Sequence, residues 1–353
     1  MYNKSKIAIF RKAGTPVSIE ECSIPELKQD RKLVKNEYVT LCRSDISTYM
    51  GKRIEKSPTI LGHEIVGRIV AVAPGAPAAD LNGMLLHEGK RITWAIYASD
   101  PDSEMSRLGI PQKSPDLFKY GHEQLTETNT LNGGLAEYTI IRKNTPVIVL
   151  SEDVPVNAAA IINCSVSTVA GAIRLTGGVE GKRVALWGIG MLGIIACAQC
   201  REAGAREIIA VDINSERLAL AGRFGATQTM KAGEFDPSLL KADCTIDFSG
   251  NLASMGATVD ALRIGGTAVW VGGVCPQEPI RLDTEKIVRN LYTIKGLHNY
   301  NADDFRAAVS FMEKHHADYP ISELIYDGFT LDQTEEAFRY AIDNNPFRVG
   351  IHF

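Results

Sequence analysis

The sequence predicts an α/β protein in two parts: a compact β domain, and a doubly wound parallel sheet built from alternating strands and helices. Three observations carry that expectation. Residues 183–212 read as a strand, a glycine turn, a helix and a second strand. Residues 1–150 are rich in β-branched segments broken by Gly, Pro and Asp. From about Asn157 to Gly296, strand-like and helix-like segments alternate.

The βαβ unit is the most specific of the three. Arg183-Val-Ala-Leu-Trp187 is a short apolar run, as in a strand buried on both faces. Gly188-Ile-Gly190-Met191-Leu192-Gly193 turns the chain and opens a helix, and Glu207-Ile-Ile-Ala-Val-Asp212 ends a second strand in an acid. An acid about 20 residues beyond a GxGxxG turn is the dinucleotide fingerprint. Gly188 can take the turn's backbone angles, Gly190 lets a pyrophosphate approach the main chain, and Gly193 lets the helix pack against the strand. The helix start at Met191 and Leu192 offers unpaired N–H groups and a partial positive charge. Asp212 suits both ribose hydroxyls of NAD and repels a 2′-phosphate, so NAD is expected over NADP. Arg217 offsets part of that repulsion. The plainer alternative, a turn that only packs a helix, leaves the neighbouring acid without a reason.

Strand-like segments in the first part lie at 7–10, 35–41, 64–72, 90–96 and 136–141. An Ala-rich helix is expected over 157–175, and later strands at 244–248, 268–271 and 292–294. Amphipathic helices follow at 303–316 and 331–343, then a strand-like 348–353. The chain is thus expected to build a first domain over 1–155, a nucleotide-binding domain over 156–296, and to return to the first over 297–353. A net charge of −4 with the signs mixed argues against nucleic acid. No apolar run reaches the roughly 18–20 residues of a membrane span. The start, Met1-Tyr-Asn-Lys-Ser-Lys6, has no signal-peptide pattern, so a cytoplasmic location is expected. Seven scattered cysteines suit reduced thiols and a metal better than disulfides.

Residues that carry chemistry stand in three places: Cys42-Arg43-Ser44-Asp45, Leu61-Gly62-His63-Glu64 and Asn163-Cys164-Ser165. Taken singly, each reads equally well as a small buried thiol or a hydrogen-bonded structural His. Taken together with Gly133-Gly134-Leu-Ala-Glu137-Tyr138 and the 188–193 turn, in that order, they give a chain that resembles the zinc-containing medium-chain dehydrogenase/reductase family. That family includes alcohol, sorbitol and threonine dehydrogenases, and the resemblance covers nearly the whole chain. It implies a GroES-like β domain plus a Rossmann domain. It also implies a catalytic zinc on Cys42, His63 and Cys164, with Glu64 behind the ligands or joining them transiently. Two thiolates and an imidazole fill three corners of a tetrahedral site and leave the fourth for a substrate oxygen. Zinc then eases ionisation of the alcohol, and its carbon passes a hydride to nicotinamide. Ser44 is implied as the hydroxyl that takes the alcohol proton. Ser249, Val271 and Gly272, after the ends of later strands, are implied to lie near the cofactor. The expected activity is NAD-dependent oxidation of an alcohol, polyol, aminopolyol or cyclitol to an aldehyde or ketone. A homodimer or homotetramer is expected through the sheet edge near 268–273 and 291–297.

Two departures from the family pattern stand out. Ser47 occupies the place of a proton-relay His in many relatives, so the relay is expected to use cofactor hydroxyls, water or another base. Asp100, Ser103, Ser106 and Ser114 occupy the places of four cysteines that hold a structural zinc in many relatives. Hydroxyls do not replace thiolates on zinc, so one catalytic zinc and no structural zinc is expected. The lobe 99–123 is then held by packing or by a neighbouring subunit. Arg107-Leu-Gly-Ile-Pro-Gln-Lys113, Lys119-Tyr-Gly-His-Glu123 and Gly296-Leu-His298-Asn-Tyr300 are similar to a subgroup tied to phosphonate metabolism, so a phosphonate-linked alcohol dehydrogenase is an alternative. Trp94, Tyr120, His122 and His298 are pocket candidates, with core packing as the equal alternative. Lys52, Arg53 and Lys56 read as a solvated face sooner than as an anion site. Zinc-free carbonyl reduction fits less well, because the Cys/His set is present. A non-catalytic NAD-binding regulatory protein is the alternative from another class.

Overall fold

The computed structural model describes Asn3–Phe353; Met1 and Tyr2, with which the expected first domain begins, lie outside the described residues. The chain divides into two units. The first comprises Met1–Cys164, Asn301–Ala317 and Ile321–Phe353; the second comprises Ser165–Tyr300 and Asp318–Pro320.

The strand Lys32–Leu41 is the spine of the first unit. It pairs along one edge with Glu64–Val72 and along the other with both Tyr138–Ile141 and the last strand, Arg348–His352. Because it is central, both faces are covered: Leu33, Val34, Tyr38, Val39 and Leu41 are all buried. Ile325–Thr330, Arg91–Trp94 and Val147–Val149 complete the sheet. The antiparallel pairing Val349↔Leu41 brings the end of the chain beside Cys42. Among the described residues, no helix is long and apolar enough to cross a membrane.

The expected helix over 157–175 is instead broken into Val156–Ala160, a π-helical turn at Ile162–Val166, and Ser167–Leu175. The Asn163 side chain explains the widened turn: its amide donates to the carbonyls of His63 and Trp94, both at 2.9 Å. Such π-turns recur at functional sites because they redirect one side chain without ending the helix.

The lobe 99–123 carries a short helix, Glu104–Arg107, and the strand Phe118–Lys119, which pairs with Tyr97–Ala98. Packing alone does not describe what ties it together. Ser103 Oγ lies 2.9 Å from Ser106 Oγ and 2.7 Å from Ser114 Oγ, and Ser106 Oγ donates to the Asp100 carbonyl at 2.7 Å. Three linked hydroxyls and the Asp100 carbonyl thus occupy the four positions that the family resemblance singles out.

The second unit is a parallel sheet in the order Gln228–Lys231, Glu207–Asp212, Arg183–Trp187, Ala242–Asp247, Leu262–Trp270 and Thr293–Gly296. The chain starts in the middle at Arg183–Trp187 and builds outward in both directions, so a crevice opens where the order reverses. The helix Met191–Glu202 is almost wholly buried, as its apolar sequence requires. Of the two stretches expected at a sheet edge, only the one containing Thr293–Gly296 lies there. Leu262–Trp270 is flanked on both sides, and Ala268 and Val269 are fully buried.

Candidate metal and cofactor sites

Cys42 ends the spine strand and stands at the N-cap of the short helix Arg43–Tyr49. Asp45, in the first turn, accepts hydrogen bonds from the backbone N–H of Cys42 (3.0 Å) and of Gly62 (3.2 Å), which ties the two loops together. His63 follows Gly62 and leads into Glu64–Val72, while Cys164 comes from the π-turn. The Cys42, His63 and Cys164 ligand atoms all lie within 4.8 Å of one another. The set therefore fits a zinc ion in its chemistry as well as its spacing: two soft thiols, one imidazole, and little exposure to water.

The surroundings orient and charge these groups. Asp45 Oδ1 lies 3.2 Å from His63 Nδ1, which leaves Nε2 facing Cys164 Sγ and Ser44 Oγ, each at 3.5 Å. A carboxylate on the far nitrogen is how ligand imidazoles are usually held in one tautomer. Burial lowers the His63 pKa, but the Asp45 carboxylate and Cys42 outweigh it and raise the value to about 10. Cys42 is held well below the ordinary thiol value by the hydrogen bond from Cys164; burial opposes this, and Arg348 and His63 assist it. Cys164 correspondingly moves up. The pair thus favours one thiolate beside one cation, the electropositive setting in which cysteines ionise.

Sequence reasoning missed Arg348 altogether, and it named Asp45 in the Cys42 motif without a role. Arg348, buried in the last strand, makes a bidentate ion pair with Glu64 at 2.6 and 2.9 Å and places Nη2 3.5 Å from Cys42 Sγ. Thr40 Oγ1 also donates to Glu64 at 2.6 Å. The Glu64 carboxylate is thereby engaged by neighbours, and it is not part of the three-residue group. No local pattern points to Arg348. Asp45 carries a faint signal, an acid three residues beyond a helix N-cap.

The pocket candidates divide. Trp94 and Tyr120 are core: both are fully buried, and the Tyr120 hydroxyl bonds Thr145 at 2.7 Å and the Arg142 N–H at 2.9 Å. His122 does lie by the cluster, its ring centroid 5.0 Å from that of His63, with Nδ1 3.2 Å from Glu55. Burial lowers the His122 pKa to about 4 and that of the neighbouring Lys119 to about 8. Arg53 pairs with Glu55 at 2.6 Å and Lys56 with Glu123 at 2.9 Å. His298, half-buried, belongs to the second unit.

In the second unit the glycine turn has the geometry its sequence demands. Gly188 has φ +85°, and a Cβ there would lie 2.7 Å from the Ser249 nitrogen. A Cβ on Gly193 would lie 2.1 Å from the Gly188 carbonyl oxygen, so no larger residue lets the helix pack this close. At Gly190 the nearest atom to such a Cβ is Arg217 Nη1, at 3.7 Å. Asp212 accepts from Ile189 N–H at 2.6 Å and from Asn214 N–H at 2.8 Å, which fixes the acid at the turn. Ser249 donates to Asp247 at 2.6 Å, and Gly272 abuts Gly250 so closely that a Cβ would lie 2.1 Å from its nitrogen. Val271 N–H bonds the Asp247 carbonyl at 2.9 Å. Met191 and Leu192 form the helix start. These residues share one end of the sheet.

The family model of the alcohol dehydrogenase GroES-like domain matches residues 28–152, and that of the zinc-binding dehydrogenase matches residues 191–314. A class-2 alcohol dehydrogenase isozyme of Oryctolagus cuniculus is 29% identical over 297 residues, 76% of this chain and 77% of that protein. Sorbitol dehydrogenase of Bacillus subtilis is 26% identical over 338 residues, covering 92% and 90%. Among solved structures, an alcohol dehydrogenase from Thermotoga maritima superposes with a TM-score of 0.92 at 24% identity, covering 99% of each chain. Galactitol-1-phosphate dehydrogenase from Escherichia coli gives 0.85 at 25% identity, covering 99% of this chain and 100% of that one. With a GroES-like domain and a parallel nucleotide-binding sheet in this order, and relatives matched over nearly its whole length, the chain belongs to the zinc-containing medium-chain dehydrogenase family.

Proposed function

We propose that this chain is an NAD-dependent dehydrogenase of alcohols, polyols in particular, working with one zinc ion held by Cys42, His63 and Cys164. The observation that carries the reading is the convergence of those three ligand atoms within 4.8 Å. Zinc in such a site supplies a Lewis acid that lowers the pKa of a substrate hydroxyl. Nicotinamide supplies the hydride acceptor. The chain's own residues do the rest. Asp45 holds His63 with Nε2 inward, and Arg348 balances negative charge on Cys42 and Glu64. Ser44 Oγ, 3.5 Å from His63 Nε2, is the group that takes the substrate proton. Glu64, engaged by Arg348 and Thr40, serves behind the ligands rather than as one of them.

Asp212 beside the turn supports NAD over NADP, since its carboxylate suits ribose hydroxyls and opposes a 2′-phosphate. Glu55, Lys119 and His122 near the cluster form a polar wall that suits a substrate with several hydroxyls. The similarity to sorbitol dehydrogenase points the same way. The hydroxyl network of Ser103, Ser106 and Ser114 stands in place of a structural zinc. The edge strand Thr293–Gly296 is the surface through which two copies pair.

Metal analysis and a substrate screen test this reading. The expected result is about one zinc per chain and NADH formation with a polyol, at a higher kcat/KM than with NADP. Zinc-free protein that still turns over, or no reduction of either nucleotide by any alcohol, sinks it.

A further inference from the structure

A cavity of about 420 Å³ opens in the first unit, and none of the three metal-ligand candidates lines it. Small-molecule sites have volumes of roughly 300–1,000 Å³. Lys32 makes this cavity unusual. It is the first residue of the spine strand and only 2% exposed, yet it lines the cavity. Among the described residues, no acceptor or carboxylate pairs with its ammonium, and burial alone lowers its pKa. A buried charge without a partner is costly, and native proteins seldom keep one without a use.

The pairing Lys32↔Ile141 explains what surrounds it. The two residues after Ile141, Arg142 and Lys143, come to the same wall. Arg142 is held in place by the Phe118 ring, with the guanidinium carbon 3.6 Å from its centroid, and by Asn129 at 3.2 Å. Asp80 is the single carboxylate among the lining residues. Both its oxygens are taken by backbone N–H groups of Asn82, Met84 and Val149, each at 2.8 Å. The Arg142 guanidinium is thus taken up by Phe118 and Asn129, neither of which lines the cavity, and Lys32 and Lys143 share the wall with one acid that is already committed. Leu81, Leu86 and Val147 add apolar wall, so a monatomic ion would leave most of the space unfilled.

We propose that this cavity binds a small organic anion, a metabolite bearing a carboxylate or a phosphate, with its oxyanion against Lys32 and its carbon skeleton against the apolar wall. The proposal is independent of the zinc reading and of the dehydrogenase substrate.

Titration calorimetry on the full-length protein as purified, with NAD in excess, tests it, with inorganic phosphate and malonate as separate probes at fixed ionic strength. Saturating NAD keeps phosphate from reporting on the pyrophosphate site. Saturable heat is expected from at least one probe, and which one responds tells phosphate from carboxylate. Lys32→Met is expected to weaken binding about tenfold or more, the loss of one charge-assisted hydrogen bond, while melting no lower than the parent. The exposed Lys143→Ala is expected to weaken binding by a smaller factor and serves if Lys32→Met does not fold. No saturable heat from either probe, or unchanged affinity in the variant that folds, overturns the proposal.

Discussion

The glycine turn of the second unit and the thiol–imidazole cluster of the first are built in opposite ways. The turn is made by residues 183–212, nearly all of it within one continuous stretch of chain. Its geometry follows from local rules: a buried strand, a glycine at φ +85°, a helix start and an acid. The cluster gathers Cys42, His63 and Cys164, and is completed by Arg348, which lies 306 residues beyond Cys42. Neighbours in sequence can place a backbone turn. A ligand set spanning most of a domain depends on sheet register, because a slip of one residue turns each side chain to the opposite face.

That contrast can be broken or sharpened by experiment. The largest effect is expected from Cys42→Ala, which should abolish zinc binding and turnover while NAD binding, followed by fluorescence titration, stays near the parent value. Loss of both functions together would mean that the two sites do not stand apart. Next comes Arg348→Met. It leaves the Glu64 carboxylate buried without its cation, which costs about 3–5 kcal/mol, read in denaturant unfolding. The double variant with Glu64→Gln should recover part of that loss, and no recovery would remove the ion pair as the cause. Gly193→Ala sets a Cβ 2.1 Å from the Gly188 oxygen. It should cost about 1–3 kcal/mol and weaken NAD binding, with zinc content unchanged; full NAD affinity would show that the close packing is dispensable.

The smallest effect is pH-dependent. His122 ordinarily titrates at 6.5, but burial lowers its value to about 4 in the fold. The unfolded chain therefore takes up a proton that the folded chain refuses. The contribution is fully present above 6.5 and is lost as pH falls from 6.5 towards 4. Between about pH 7 and pH 5.5 this amounts to about 1 kcal/mol. The parent should lose that much more stability than His122→Asn over the interval, and parallel curves would exclude the assignment.

Much was legible before any coordinates. Arg183–Trp187 and Glu207–Asp212 fall where the apolar runs placed them, and Glu64–Val72 matches its segment. Long periodic segments report their own structure because burial imposes the period. The misreadings came where a distant partner outweighs local preference. Asn163, bonded to the His63 and Trp94 carbonyls, interrupts a helix that an Ala-rich sequence favours. For Tyr120 the sequence left pocket and core equally open, and Thr145 and Arg142, which satisfy its hydroxyl, place it in the core. A serine pattern such as Ser103, Ser106 and Ser114 signals missing thiols, but not that the hydroxyls bond one another.

Composition and spacing were enough for the two-part α/β architecture and the nucleotide turn, while the three ligand candidates came from the resemblance that motifs in a fixed order carry. Each is a property of residue types along a short span, or of motifs kept in order. Folding in three dimensions was needed for Asp45 behind His63, Arg348 between Cys42 and Glu64, and the buried Lys32 in its cavity wall. Those are matters of charge and hydrogen bonding between strands that meet only through the sheet. Electrostatic energy depends on distance in space and on burial, and a linear sequence records neither.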